Sequence, residues 1–222
     1  MESLNGKAAA AMCGRYTLAV EMDELAERFG CPKVEAVFKA RYNVAPTQVM
    51  PVVVAPGGHR QLRFMRWGLV PFWAREKSIG NKLINCRVES AAEKPSFKHS
   101  YRRRRCLVPA TGYFEWQKRP AGKQPFYIRP LDHRIFAMAG LWDAWTDPEG
   151  EILYSYAILT TEATPATFPI HDRMPYILRP DQESAWLQGQ VPGTVEDRLE
   201  AYEISALVNK PANDQPEIIL PI

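Results

Sequence analysis

Hydrophobic and polar positions along this 222-residue chain change period several times. In "VEMDELAERFG", Met22, Leu25, Ala26 and Phe29 recur at helical spacing, which predicts a short amphipathic helix with Gly30 as its stop. "VMPVVVAPGG" is a short apolar run ended by a turn, and "RQLRFMRWGLVP" puts Leu62 and Phe64 on one side; both predict strands. An irregular stretch rich in Trp and Lys follows, "PFWAREKSIGNKLINCR". "VESAAEKPSF" predicts a short helix that stops near Pro95. From "RCLVPATGYFEWQK" onward the pattern is mostly strand, through "QPFYIRP", "RIFAMAGLWDAW" and "ILYSYAILTT". "DQESAWLQ" predicts a late helix with Asp181 as its cap.

Residues 1–11, "MESLNGKAAAA", read as an N-terminal extension: a tag, an upstream start or a disordered tail. Residues 12–222 show no internal repeat and no Gly/Ser linker, which predicts one domain. Many short strands with a few short helices predict an α+β, mainly β fold with a curved, barrel-like antiparallel sheet. The 19 Pro agree, since they favour short strands and turns over long helices.

The charge balance, 28 Lys and Arg against 25 Asp and Glu, is too mild to announce a nucleic-acid binder by itself. Cys13, Cys31, Cys86 and Cys106 form no CxxC pair, and His59, His99, His133 and His171 do not join them at zinc-ligand spacing, so no metal or other cofactor is expected. So few Cys in a chain this long predict a reducing, cytoplasmic setting (nucleoid-associated in a bacterium). The first eleven residues lack the apolar core of a signal peptide, and no run approaches the roughly 20 apolar residues of a membrane span.

Five stretches carry polar residues inside apolar surroundings: "CGRY", "YNVAPTQ", "NCR", "GYFEW" and "TTEATPATFPIHDRMP". Singly, each has a plain reading. Glu115 is a solvent-facing strand residue, His171 to Arg173 a solvated turn, Asn85 a helix cap, and Arg15 and Arg87 surface charges. Together they make a chemical kit. Met12 directly precedes Cys13; if Met12 initiates and is removed, Cys13 carries a free amine and a thiol on one carbon. A carboxylate between Phe114 and Trp116 is partly desolvated, which favours its protonated form and suits it to moving protons. His171 can shuttle a proton near neutral pH, and two Arg can hold phosphates bidentately.

"WGLVPFWAREK" sets Trp67, Phe72 and Trp73 beside Arg75 and Lys77, a combination that suits single-stranded nucleic acid. Trp67 reads as core, whereas Phe72 and Trp73 follow Pro71 in a polar loop and read as wedges. "YRRRRC" (101–106) can bind phosphate or be an ordinary solvated face, and no groove-reading motif accompanies it.

In order, "MCGRY", "YNVAPTQ", "RWGLVPFWA", "NCRVES", "RCLVPATGYFEW", "AGLWDAW", "LTTEA" and "IHDRMP" resemble the SRAP (SOS response-associated peptidase) family, whose members react with abasic sites in single-stranded DNA. The resemblance implies a single SRAP-type domain and a DNA-repair role: a stable covalent DNA–protein adduct, formed when the amine of N-terminal Cys13 condenses with the abasic aldehyde and the thiolate closes a thiazolidine. It implies that Cys13 is the nucleophile, Glu115 moves protons, His171 assists sugar opening or adduct reversal, Asn85 orients the reactants, and Thr160 is the polar position before the His segment. It implies that Arg15 and Arg87 grip flanking phosphates, that Pro46 lines the pocket, and that Phe72 and Trp73 sit at a single-strand/double-strand junction. Trp116 and Arg173 complete the DNA-binding set. Cys86 stands where the family often has Ala. The implied partner is abasic single-stranded DNA, met by a monomer. Two other readings stay open: a thiol-dependent peptidase or autopeptidase using Cys13 and His171, and a non-covalent single-strand or junction binder.

Overall fold

The computed structural model describes residues 14–33, 35 and 38–222. The extension of residues 1–11 and the key residue Cys13 therefore lie outside the described residues. Thirteen strands and four short helices are described: β1 (Tyr16–Leu18), α1 (Met22–Phe29), β2 (Arg41–Val44), β3 (Val49–Val54), β4 (Gln61–Trp67), β5 (Asn85–Arg87), α2 (Val88–Ala91), α3 (Lys98–Arg103), β6 (Arg105–Ala110), β7 (Gly112–Arg119), β8 (Gly122–Pro130), β9 (Phe136–Thr146), β10 (Ile152–Glu162), β11 (Arg173–Pro175), β12 (Ile177–Leu178), α4 (Glu183–Leu187) and β13 (Leu199–Glu203).

The strands form two sheets. One has the order β13-β8-β7-β1-β2, antiparallel throughout. In the other, β10-β4-β3-β6-β9 closes on itself, because β9 and β10 pair from Thr146↔Ile152 to Gly140↔Ile158. Closure removes the exposed edges that an open sheet leaves. The mainly β, barrel-like expectation is therefore met, with one refinement. β4 and β5 both run parallel to β10. Parallel pairing needs a long crossover, and the chain between β4 and β10 supplies it. No helix among the described residues is long and apolar enough to cross a membrane.

The predicted α1 forms as read: Met22, Leu25, Ala26 and Phe29 are buried, and Gly30 ends it at φ +62°, with its N–H turned back to the Ala26 and Glu27 carbonyls. Leu62 and Phe64 share a strand face, but Leu62 is covered while Phe64 is exposed beside Phe38. Asp181 is not a cap. The chain enters the α4 region through a 3-10 turn at Pro180–Gln182, and the Gln182 side chain takes the Arg179 N–H at 3.0 Å.

Trp67 is fully buried, as its core reading requires. It sits edge-on to Tyr16 and stacked over Tyr156, with the two tyrosine hydroxyls 2.7 Å apart. These rings lock β1 of the open sheet against β4 and β10 of the barrel. Burying each contributes on the order of 2 kcal/mol.

Candidate functional site

Where β7 leaves the core, a cavity of about 420 Å3 opens. Its walls include Glu115, Trp116 and Lys118 from β7, Lys123 from β8, and Phe168 to Asp172 from the loop between β10 and β11. Strand alternation sends Phe114 to the core and Glu115 the other way. Glu115 is nonetheless only 3% exposed. The plain reading of a solvent-facing strand residue is thereby overturned. The Phe114 N–H donates to the Arg15 carbonyl at 3.0 Å, so the chain entering β1 runs beside Phe114 and Glu115.

The loop that carries His171 is closed by its own backbone. Ala163 N–H donates to Asp172 O at 3.0 Å, Phe168 to Thr164 at 2.9 Å and Ile170 to Thr167 at 2.9 Å. His171 Nδ1 accepts the Arg173 N–H at 3.0 Å and lies 2.9 Å from Asp172 Oδ1. Glu115, Trp116 and His171 thus share one cavity.

The parallel register Ile158↔Asn85, Leu159↔Cys86, Thr160↔Arg87 arranges a second group. Alternation puts Asn85 and Arg87 on one side and turns Cys86 into the core. Burial pushes the Cys86 thiol up to about 12, the behaviour of a small core hydrophobe. Arg87 is exposed. Thr160 is fully buried, with Oγ1 3.5 Å from the Cys86 carbonyl. Arg173 is buried and faces the protein: Nη1 and Nη2 donate to the Glu89 carboxylate at 2.7 and 2.9 Å, and Nη2 also to the Thr160 carbonyl at 2.8 Å. The resulting pair lowers the Glu89 pKa, chiefly through the Arg173 hydrogen bond.

Arg15 is half-buried, and desolvation lowers its guanidinium pKa. Its Nη1 donates to Asn43 Oδ1 and to the Val208 carbonyl, both at 2.8 Å. Trp116 Nε1 donates to Asn209 Oδ1 at 2.8 Å. The C-terminal segment around 207–214 therefore braces two residues read from sequence as DNA contacts. Asn43 ties this knot: fully buried, its Nδ2 donates to the carbonyls of Val208, Lys210 and Asn213. Asp214 Oδ1 accepts the Tyr42 and Asn43 N–H groups. The sequence reading assigned no role to Asn43, Asn209 or Asp214. "YNVAPTQ" drew attention to Asn43, but the carbonyls its amide donates to lie more than 160 residues away. Pro46 is half-buried and opens the β2–β3 turn, in which Thr47 adopts φ +76°.

Phe72 and Trp73 are half-exposed and do not line the Glu115 cavity. Trp73 borders a separate hollow with Arg75, Asn81 and Lys82. The "YRRRRC" run divides. Arg104 pairs with buried Asp143, and Arg105 is buried over the Trp186 ring at 4.2 Å, while Arg102 and Arg103 stay exposed.

The comparisons agree with one another. A family model described as "SOS response associated peptidase (SRAP)" matches residues 12–211. The chain is 39% identical over 221 residues to "Abasic site processing protein YoqW" of Bacillus subtilis (strain 168), covering 94% of this chain and 99% of that one. It is 33% identical over 228 residues to "Abasic site processing protein HMCES" of Gallus gallus, covering 85% and 68%. A crystal structure of a Bacteroides thetaiotaomicron protein superposes with a TM-score of 0.85 at 29% identity, covering 95% of this chain and all of that one.

Proposed function

Because this chain belongs to the SRAP (SOS response associated peptidase) family, we propose that it processes abasic sites in single-stranded DNA by joining them covalently to Cys13. Relatives across most of its length carry the name abasic site processing protein. The single observation that carries the chemistry is a buried carboxylate, Glu115, sharing a cavity with His171 beside the chain that leads into β1.

The reading requires a free Cys13 amine, so residues 1–12 have to be removed or never made. An α-amine has a pKa of about 7.7–8.0, so an appreciable fraction is neutral at pH 7, unlike a Lys near 10.4. That amine attacks the aldehyde of the opened abasic sugar. Loss of one water gives an imine. The Cys13 thiolate then adds to the imine carbon, and the nitrogen takes a proton to complete the thiazolidine. Holding both nucleophiles on one carbon makes ring closure intramolecular.

Glu115 takes and returns the protons of carbinolamine formation and water loss. His171 assists sugar opening. Asn85 orients the sugar, and Thr160 keeps β5 and β10 in register beneath it. Arg15 and Arg87 hold flanking phosphates. Pro46 and Trp116 bound the pocket, and Phe72 and Trp73 meet the strand where it becomes double. Arg173, committed to Glu89 and Thr160, contributes by fixing the floor of the site. One chain suffices for all of this.

The test is Glu115→Gln in a chain that begins at Cys13. Adduct formation is expected to slow about 10²–10⁴-fold while DNA affinity holds; an unchanged rate removes Glu115 from the chemistry.

A further inference from the structure

Asp143 is 1% exposed and takes no part in the proposed chemistry, yet it binds three segments together. Its carboxylate accepts the Phe72 N–H at 3.2 Å, the Ser100 hydroxyl of α3 at 3.3 Å, and an ion pair from Arg104. Trp145 adds a second tether, donating its indole N–H to the Ala74 carbonyl at 2.7 Å. The Phe72 ring lies 4.9 Å from the His99 ring of α3. The exposed aromatic loop and the basic helix are thus one rigid unit.

Along α3, residues three and four apart share a face. Arg102 and Arg103 follow His99 at those spacings, and Lys98 precedes Arg102 by four. All three cations are exposed, and none has a carboxylate partner among the described residues. Arg102 and Arg103 border a hollow of about 260 Å3 with Pro56 and Trp142. Their neighbours Arg104 and Arg105 are both consumed in packing. Folding uses the inner pair and leaves the outer pair free, on the helix whose His99 packs against half-exposed Phe72. Cations flanking aromatic faces match a phosphodiester chain whose bases stack.

We propose that Lys98, Arg102 and Arg103 form a phosphate-binding surface for the DNA that flanks the reacting nucleotide, with Phe72 and Trp73 as its stacking edge. The proposal rests on the DNA reading above and extends the footprint past the Glu115 cavity. Each phosphate neutralised releases counterions, so the surface has a signature in salt dependence.

The probe is an oligonucleotide carrying a tetrahydrofuran abasic analogue, which has no aldehyde and cannot crosslink. Three forms are compared: a short one, one with a long single-stranded flank, and one with a duplex flank. Lengthening the flank should steepen the salt dependence of binding by the unaltered protein. The double variant Arg102→Ala/Arg103→Ala, exposed at both positions, should lose about 1.4 from the slope of log K against log salt if the flank is held single-stranded. The loss should be about 1.8 if it is held as duplex. The short form should be unaffected. Unchanged slopes on both flanked forms, or an equal loss on the short one, overturn the proposal. A failure of Cys13 chemistry would appear with a reactive abasic site and leave this measurement untouched.

Discussion

Asn43 accepts the Arg15 guanidinium at 2.8 Å while donating to three carbonyls of the C-terminal segment. The first and last parts of the described chain are therefore knotted at one buried amide. Asn43→Ala removes these bonds and leaves buried carbonyls and a half-buried cation without their partner. It is expected to cost roughly 2–3 kcal/mol, read as a lower urea midpoint. An unchanged midpoint would show that water replaces the amide without loss.

Gly112 is needed for space. A Cβ there would lie 2.1 Å from Tyr127 Cζ and 2.2 Å from its hydroxyl. The ring has nowhere to retreat, because its hydroxyl is held by Thr17 at 2.9 Å and Thr17 in turn by Thr111 at 2.8 Å. Gly112→Ala is expected to destabilise by about 3 kcal/mol or more, seen as a large drop in Tm. A Tm near that of the parent would mean that β7 and β8 can separate at little cost.

Two thiols in the core make a pH prediction. Burial raises Cys86 from 9.0 to about 12, and it raises fully buried Cys106 as well. In the unfolded chain both ionise at their ordinary values, so above about pH 9 the unfolded state binds fewer protons than the native one. Stability present below that pH is then lost as pH rises toward the folded values. Cys86→Ala should flatten the alkaline limb of the stability profile. Native alkylation at pH 8 should spare Cys86 and Cys106, with labelling appearing only in denaturant. Rapid native labelling of either would contradict their burial.

At the acid end, Arg173 depresses Glu89, chiefly through its side-chain hydrogen bond. The stability this pair gives is present above the ordinary Glu value of about 4.3 and lost as pH falls through the depressed folded value. Glu89 is 49% exposed, so solvent screening limits the contribution to about 1 kcal/mol at most. The difference in stability between the parent and Glu89→Gln should therefore close progressively below about pH 4. A constant difference across that range would remove ionisation as its cause.

What sequence could reveal tracked how local each signal was. The α1 face and the Gly30 stop need only neighbours within one turn, and they appear as read. Long strands such as β9 and β10 were visible as apolar runs. Three-residue strands such as β1, β5 and β11 were not, because their pairing is set by partners far along the chain. The same holds for the site. Glu115 and His171 stood out as polar residues among apolar ones, and the fold brings them to one cavity. Asn43 and Asp143 carry as much of the architecture, but each acts through contacts that no local pattern announces.

Cys13, freed at its amine, is proposed to form a thiazolidine with an abasic site. Intact mass spectrometry of a chain beginning at Cys13, before and after mixing with a single-stranded oligonucleotide carrying one reactive abasic site, tests it directly. A heat-stable adduct is expected whose mass is the sum of the two components less one water, absent in Cys13→Ala. A Cys13→Ala chain that gives the same stable adduct in undiminished yield, or a free-Cys13 chain that gives none, would contradict it.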